Sequence, residues 1–403
     1  MLASIDIGTN KIATLVADIA QDGALKILAS GVCPSKGMRK GLVIDIEQMV
    51  DSIQRSIQAA ELMFDEKIIS AYVGISGEHI RGMLSEDAAP ILDGEVSEFD
   101  MNNAVETAKS IPVAGDQEIL HAFPREFKID GESGIRNPEG MAGRRLEAKV
   151  YMITGGKYQI RNIKNCVERC GINIEDIVLE PVASGMAVLT SDERELGVCM
   201  IDIGGGTTDI AIYTKGEIID IGIIPVAGDH VSNDIAKVLR TPPNYAEEIK
   251  LKYGCTRACI KNTVETIEVH ALSDANQAVN YKRQILAEVI EARYDEIFRL
   301  TQEHIQKNFK QDVVSGIVLT GGGSKLEGVC DLAKDFFDMP VRVGSPLQLE
   351  DTTGNLKDPI HATGFGLLLY ARDSTVYAEI NKSERNRLKT AFLKAKRWFQ
   401  HQY

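Results

Sequence analysis

The chain has 403 residues, a formal net charge of −13, 44% hydrophobic and 26% charged residues. That length holds two or more domains around a sizeable core, and the composition is that of an ordinary soluble globular protein. The acidic balance argues against nucleic acid as the main partner, because a phosphate backbone repels a negative surface.

The N-terminal segment Ala3-Ser-Ile-Asp-Ile-Gly-Thr-Asn10 is an apolar run that ends in Asp, Ile, Gly and small polar residues. It lacks the charged region and apolar stretch of a signal peptide. The spacing predicts a strand, a Gly-containing turn and a second strand over residues 1–32. Residues 46–63 carry apolar residues at helical period, and 68–76 read as a strand. Residues 84–161 read as an inserted module, with a helix at 100–110 and strands at 119–129 and 145–154. Gly and Pro punctuate it at Gly131, Gly134, Pro138, Gly140 and Gly143. A helix at 157–170 and the run 177–188 return to the core.

The second half repeats the first. Cys199-Met-Ile-Asp-Ile-Gly-Gly-Gly-Thr-Thr208 is again an apolar run, an Asp, an Ile and a Gly-rich turn. Residues 230–310 read as mostly helical, broken by Thr241-Pro-Pro-Asn. Then come a strand at 316–320, a strand at 339–343 and a helix at 362–370. Residues 371–384 are polar. No run of about 18 apolar residues is long enough to span a membrane. The seven cysteines have no framework spacing, so they read as reduced thiols. Cys166/Cys170 and Cys255/Cys259 share helical faces, but four zinc ligands are not assembled around either pair.

The chemistry of the two turns points to phosphate. Gly lets the backbone approach an anion closely, and successive N–H groups form an anion-binding nest. Asp6 and Asp202 cannot bind phosphate directly, but they suit a Mg²⁺ held through water. An ordinary tight hairpin accounts for the first turn equally well. Three consecutive Gly at 204–206 destabilise a turn and need a reason.

Three further segments bear on a ligand. Ile317-Val-Leu-Thr-Gly-Gly-Gly-Ser324 is a strand feeding a Gly-rich turn that opens a helix, a geometry that admits a base or a phosphate. Glu180 follows an apolar strand; from spacing alone it reads as a solvated Glu at a helix N-terminus, with orientation of an attacking water as the other reading. Glu247 and Lys250 lie three apart on one helical face, where they suit ribose hydroxyls or form a plain surface ion pair.

The segment 382–403 carries seven Lys/Arg against one acid, a local charge of +6. On a helical wheel Leu388, Ala391, Phe392, Ala395, Trp398 and Phe399 share one face. Arg387, Lys389, Lys394, Lys396 and Arg397 line the flanks and the other side, and Leu393 is the one misfit. A basic amphipathic helix on an acidic protein reads as an interfacial anchor for anionic lipid. The other reading is a helix docked on the protein's own core.

Together these segments resemble the actin-like ATPase superfamily of actin, sugar kinases and seventy-kilodalton heat-shock chaperones. Asp6-Ile-Gly-Thr-Asn-Lys and Asp202-Ile-Gly-Gly-Gly-Thr-Thr-Asp look like its two phosphate loops, and 317–324 like its adenosine motif. Glu180-Pro-Val-Ala-Ser and His361-Ala-Thr-Gly-Phe-Gly look like its interdomain connecting helices. Within the superfamily the chain is similar to the FtsA family of bacterial cell-division proteins over nearly its whole length. Lys40-Gly-Leu-Val-Ile-Asp, Tyr72-Val-Gly-Ile-Ser-Gly-Glu-His-Ile, Leu120-His-Ala-Phe-Pro-Arg-Glu-Phe, Asn137-Pro-Glu-Gly-Met-Ala-Gly-Arg-Arg and Ile224-Pro-Val-Ala-Gly-Asp carry that resemblance.

The resemblance implies a two-lobed α/β fold, a duplicated ribonuclease-H-like core with an inserted subdomain and a C-terminal amphipathic helix. Subdomain 1A comprises 1–83, 162–192 and 363–375; the inserted subdomain 1C is 84–161. Subdomain 2A is 193–229 and 301–362, subdomain 2B is 230–300, a linker is 376–384 and the membrane helix is 385–403. It also implies ATP and Mg²⁺ in the cleft. Gly8, Thr9, Asn10, Lys11, Gly204, Gly205, Gly206, Thr207 and Thr208 would hold phosphates, and Asp6 and Asp202 the hydrated metal. Glu247, Lys250, Gly321, Gly322, Gly323 and Ser324 would hold adenosine, with Glu180 and Thr207 placing a hydrolytic water. Hydrolysis is slow or dispensable under this reading.

The implied role is a polymerising protein at the division site, on the cytoplasmic face of the membrane. It would bind the C-terminal tail of FtsZ through 2B and later division proteins through 1C. A sugar kinase or exopolyphosphatase of this fold and a PilM-like pilus-assembly scaffold are the competing readings. The basic tail counts against both.

Overall fold

A computed structural model describes residues 1–259, 264–270, 278–309, 312–347 and 356–375. The first lobe opens with β1 (Leu2–Ile7), β2 (Lys11–Ile19) and β3 (Leu25–Pro34). A ribbon of β4 (Met38–Arg39) and β5 (Leu42–Val43), helix α1 (Ile46–Phe64) and β6 (Ser70–Ile75) follow. The inserted module holds β7 (Arg81–Pro90), α2 (Glu98–Lys109), β8 (Gln117–Ile129), β9 (Glu132–Ile135) and β10 (Arg145–Gly156). Helix α3 (Lys157–Glu168) and β11 (Asn173–Leu179) return to the first lobe; α4 (Glu180–Val188) and α5 (Ser191–Leu196) lead out of it.

The second lobe holds β12 (Val198–Ile203), β13 (Thr208–Thr214), β14 (Glu217–Ile224), α6 (Gly228–Leu239), α7 (Pro243–Tyr253), β15 (Thr266–His270) and β16 (Ala278–Lys282). It continues with α8 (Arg283–Asn308), β17 (Ile317–Thr320), α9 (Val329–Phe337) and β18 (Val341–Val343). A last helix spans residues 362–375.

The sequence repeat is a structural one. The first sheet runs β11-β6-β1-β2-β3 and the second β18-β17-β12-β13-β14. In each, three antiparallel strands joined by tight turns are extended by two parallel strands. Asp6 is the fifth of six residues in β1, and Asp202 is the fifth of six in β12. Both strands are covered on both faces, which is why they read as apolar runs rather than alternating ones. Helix α1 starts at Asp45, whose carboxylate accepts from Gln48 N, and buries Met49, Ile53, Ile57 and Ala60. Its apolar stripe outruns its contacts: Leu62 and Met63 are exposed.

Two helices cross between the lobes. Helix α4 is buried from Pro181 to Gly185, and residues 362–375 bury Ala362, Phe365, Leu367 and Leu368. At the crossing a Cβ on Gly366 would lie 1.8 Å from Ala183 O. Glycine is there because two backbones touch. The inserted module has its own core, with Ala104 and Ala108 of α2 against Leu146, Ala148, Val150 and Met152 of β10.

Two expectations are corrected. Residues 230–310 are not simply helical with one break: β15 and β16 form an antiparallel hairpin within them. The turn after β17 does not open an α-helix; it forms a 3-10 turn at Gly322–Lys325, and α9 starts at Val329. The strands and helix of the inserted module run from β7 at Arg81 to β10 at Gly156, and Lys157 opens α3. The anchor segment, with Leu388, Lys389, Phe392, Lys394, Lys396, Arg397, Trp398 and Phe399, lies outside the described residues. Among the described residues no helix is long and apolar enough to cross a membrane.

Candidate functional site

A cavity of about 650 Å³ lies between the lobes. The two Gly-rich turns form its floor and face each other. They close identically: Gly8 N–H donates to Lys11 O at 3.0 Å, and Gly204 N–H donates to Thr207 O at 3.0 Å. Among the described residues no backbone acceptor takes the N–H groups of Thr9, Asn10, Gly205 or Gly206. Asn10 Nδ2 donates across the cleft to Asp229 Oδ1 at 2.6 Å.

The glycines are explained by this contact. None of Gly8, Gly204, Gly205 or Gly206 has a positive φ, so the left-handed region is not the reason. A Cβ on Gly205 would lie 2.6 Å from the Asn10 side chain, and one on Gly206 would lie 2.4 Å from Thr9 Oγ1. The second turn is bare because the first packs against it.

Beneath the turns lie four carboxylates, Asp6, Glu180, Asp202 and Asp209, and one ammonium, Lys11. Lys11 Nζ sits 2.6 Å from Asp6 Oδ2. Ser184 Oγ donates to Asp202 Oδ2 at 2.7 Å, and Thr363 Oγ1 at 3.4 Å. Those two hydroxyls come from the two crossing helices, so the connecting elements carry part of the site. Burial raises the Asp202 carboxyl. Burial also pushes Asp209 up to about 7, with the Asp202 charge adding to the rise. Glu180 is held well above the usual carboxylate range by burial and then by the charges of Asp6, Asp209 and Asp202. Its solvated reading is therefore corrected: Glu180 is a half-buried residue of the cleft.

At the other end Glu247 and Lys250 of α7 pair at 2.6 Å, and Lys250 also donates to Ser232 Oγ at 2.9 Å and Gly228 O at 3.2 Å. Ser232 Oγ bonds Glu247 in turn. Lys250 is 12% exposed, so this is a cleft network and not the surface pair that spacing alone allows. Gly321, Gly322 and Gly323 line the same end. A Cβ on Gly321 would lie 2.1 Å from Asp202 Oδ1, whereas Gly322 has nothing closer than 3.9 Å. Tyr294 OH donates to Gly323 O at 2.7 Å.

Two predicted residues do not line the cavity. Thr208 Oγ1 donates to Val226 O at 2.8 Å, and Ser324 Oγ donates to Gly321 O at 2.7 Å. The hydroxyls of both are satisfied inside the protein. Sequence reasoning missed Asp209, Ser76 and Arg283, which do line it. Among the described residues Asp209 Oδ1 and Ser76 Oγ are buried without a hydrogen bond of ordinary geometry, yet the Ser76 hydroxyl is near enough to oppose the rise of the Asp209 carboxyl. Buried polar groups are nearly always paired, and a small shift of the Ser76 hydroxyl or a bridging water would pair these two. Asp209 was within reach of a register argument: it pairs with Asp202 across β12 and β13.

Residues 199–366 match the family model described as "Cell division protein FtsA", and residues 77–154 match that described as "SHS2 domain inserted in FTSA". The cell division protein FtsA of Pseudomonas aeruginosa is 47% identical over 371 residues, covering 92% of this chain and 89% of that protein. The FtsA of Escherichia coli K12 is 41% identical over 393 residues, covering 96% and 93%. This chain belongs to the FtsA family of cell-division proteins. Its fold is actin-like. A PilM–PilN type IV pilus biogenesis complex matches with a TM-score of 0.66 at 15% identity, covering 92% of this chain and 98% of that one. The MreB5 of Spiroplasma citri, solved bound to AMPPNP, matches with 0.57 at 16%, covering 95% and 98%. At such identities these structures speak to the fold alone, whereas FtsA relatives match through nearly the whole chain. FtsA membership therefore replaces the kinase, exopolyphosphatase and pilus-scaffold readings.

Proposed function

We propose that this FtsA-family protein binds ATP with Mg²⁺ between its lobes, polymerises, and tethers FtsZ filaments to the cytoplasmic face of the membrane at the division site. The observation that carries the nucleotide reading is the pair of identically closed Gly turns facing each other across one cavity, with an Asp at the same place in each parent strand. Their uncommitted N–H groups suit phosphate oxygens.

The donor set fits a hydrated magnesium. Asp6 and Asp202 supply only oxygen. Among the described residues no three His, Cys, Asp or Glu side chains converge tightly enough to ligate a metal directly. That suits an ion that keeps most of its water. The bound metal would neutralise phosphate charge and lower the repulsion among these carboxylates. Lys11 would serve the phosphates as a point charge, Glu247 and Lys250 would face ribose, and Gly321–Gly323 the base. Glu180, with Thr207, would position water. Burial and the neighbouring carboxylates raise the Glu180 carboxyl in the metal-free cleft; hydrolysis would be slow or dispensable.

The parts of the chain divide as 1A (1–83, 162–192, 363–375), 1C (84–161), 2A (193–229, 301–362) and 2B (230–300), with a linker at 376–384. Subdomain 2B would take the FtsZ C-terminal tail, 1C later division proteins, and residues 385–403 anionic lipid. Titration calorimetry with ATP, with and without Mg²⁺, tests the cleft. Saturable binding that Mg²⁺ tightens is expected. Lys11→Ala should weaken it roughly tenfold or more, the worth of one charge-assisted contact. No heat from native protein, or an unaltered Lys11→Ala, would contradict the assignment.

A further inference from the structure

The inserted module belongs to the first lobe by chain connectivity, yet its only buried tyrosine bonds to the second. Tyr151, in the middle of β10, is 3% exposed. Its hydroxyl donates to Asp220 Oδ1 at 2.9 Å and accepts from Ile221 N–H at 2.9 Å. Asp220 and Ile221 lie on β14, the edge strand of the second lobe's sheet. The other oxygen of that carboxylate, Asp220 Oδ2, meets His304 Nε2 at 2.6 Å. Two local features make room for the contact. Gly82 is bare where a Cβ would lie 1.9 Å from Tyr151 OH. The β13–β14 register also slips between Ile212 and Tyr213, beside Asp220.

His304 stands near the end of α8, and α8 begins at the cavity. Arg283, its first residue, and Tyr294 both line the cavity. Tyr294 OH holds Gly323 O of the adenosine turn at 2.7 Å. One unbroken 26-residue helix, about 39 Å long at 1.5 Å per residue, thus joins the Gly321–Gly323 turn to Asp220. Its buried face is continuous through Leu286, Ile290, Tyr294, Ile297, Phe298, Thr301 and Ile305, a close-packed row of the kind that transmits strain.

We propose that Tyr151, Asp220 and His304 form a brace that couples the nucleotide cleft to the inserted module. A ligand under Gly321–Gly323 displaces the turn and, through Tyr294, the helix. His304 and Asp220 then load Tyr151 and with it the central strand of the module. The inference rests on the nucleotide reading of the cleft.

Hydrogen–deuterium exchange of the full chain, with and without ATP·Mg²⁺, tests it. In native protein, ATP should slow exchange in the turn at 204–208 and change exchange in the module strands at 117–129 and 145–156 by about fivefold, the low end of typical coupling. Tyr151→Phe should keep the protection of 204–208 and lose most of the change in the module. His304→Ala, at a half-exposed position, should do the same, and His304→Gln, which keeps a donor for Asp220, should restore it; this pair decides the matter if Tyr151→Phe does not fold. A module response that survives Tyr151→Phe or His304→Ala, or a native module that ignores ATP while 204–208 is protected, overturns the brace. Absence of protection at 204–208 in native protein would instead strike the cleft reading, and the brace with it.

Discussion

Asp209 shows how a residue's meaning depends on what surrounds it. In the sequence it is one more acid after two threonines. In the fold it is 4% exposed, beside Asp202 and near the Ser76 hydroxyl. Because its folded pKa of about 7 lies above the unfolded value of 3.8, the folded state holds a proton the unfolded state has lost. This acid therefore lowers stability progressively as pH rises from near 4 to near 7, and the deficit stays constant above that. Asp209→Asn should melt at a higher temperature than native protein at pH 8, and the gap should close toward pH 4 in nucleotide-free samples. Equal gaps at both pH values would contradict the burial account. The Asp6, Gly8 and Asp202 positions were legible in sequence because the repeat displays them twice. Ser76 and Thr363 were not, since a hydroxyl at a strand or helix end gains a role only when another element brings a carboxylate to it. The three consecutive glycines were legible as a demand for space. What fills that space, the facing Thr9 and Asn10, needed the fold.

Elements with a strong period were readable, and elements defined by contact were not. Helix α1 spans Ile46–Phe64 against a predicted 46–63, because a capping Asp and a regular apolar face specify it locally. The β15–β16 hairpin escaped because Thr266–His270 and Ala278–Lys282 are short and, but for Ile267 and Val269, largely solvated. Residues 317–324 gave the strand correctly, but Gly-rich sequence does not distinguish a 3-10 turn from a helix start. The crossing of α4 with residues 362–375 is where element packing is least tolerant. Gly366→Ala would press a methyl on Ala183 O, and overpacking of this kind costs about 1–3 kcal/mol. Thermal melts should show a drop of roughly 5 °C, with nucleotide affinity reduced as well, because Ser184 and Thr363 ride on the same two helices. Gly115→Ala, where a Cβ meets nothing within 4 Å, serves as the unaffected control. An equal melting temperature for the two variants would show that the crossing is looser than the geometry states.

At the scale of the whole molecule, duplication explains both the cleft and its asymmetry. Two copies of one sheet, joined by two crossing helices, must place their equivalent turns face to face. The first copy then carries the inserted module, and the second carries α6, α7 and the β15–β16 hairpin. The two-lobed class was legible from the repeated motif and the resemblance, and FtsA membership followed from relatives matching nearly end to end. How the module reaches the second lobe was not legible. Tyr151 and Asp220 are 69 residues apart, and no local pattern announces their bond. The charge distribution adds the final feature: a +6 segment at 382–403 on a chain of net −13. An acidic body repels an anionic bilayer, whereas a basic segment is attracted to one, and on this contrast the proposed tether rests. The most direct test of a membrane tether is co-sedimentation of FtsZ filaments with vesicles containing anionic lipid, in the presence of ATP, using the full chain and a chain lacking residues 385–403. The account predicts that FtsZ enters the pellet with the full chain and stays in solution with the truncated one. Equal recovery of FtsZ with both chains, or none with either, would contradict it.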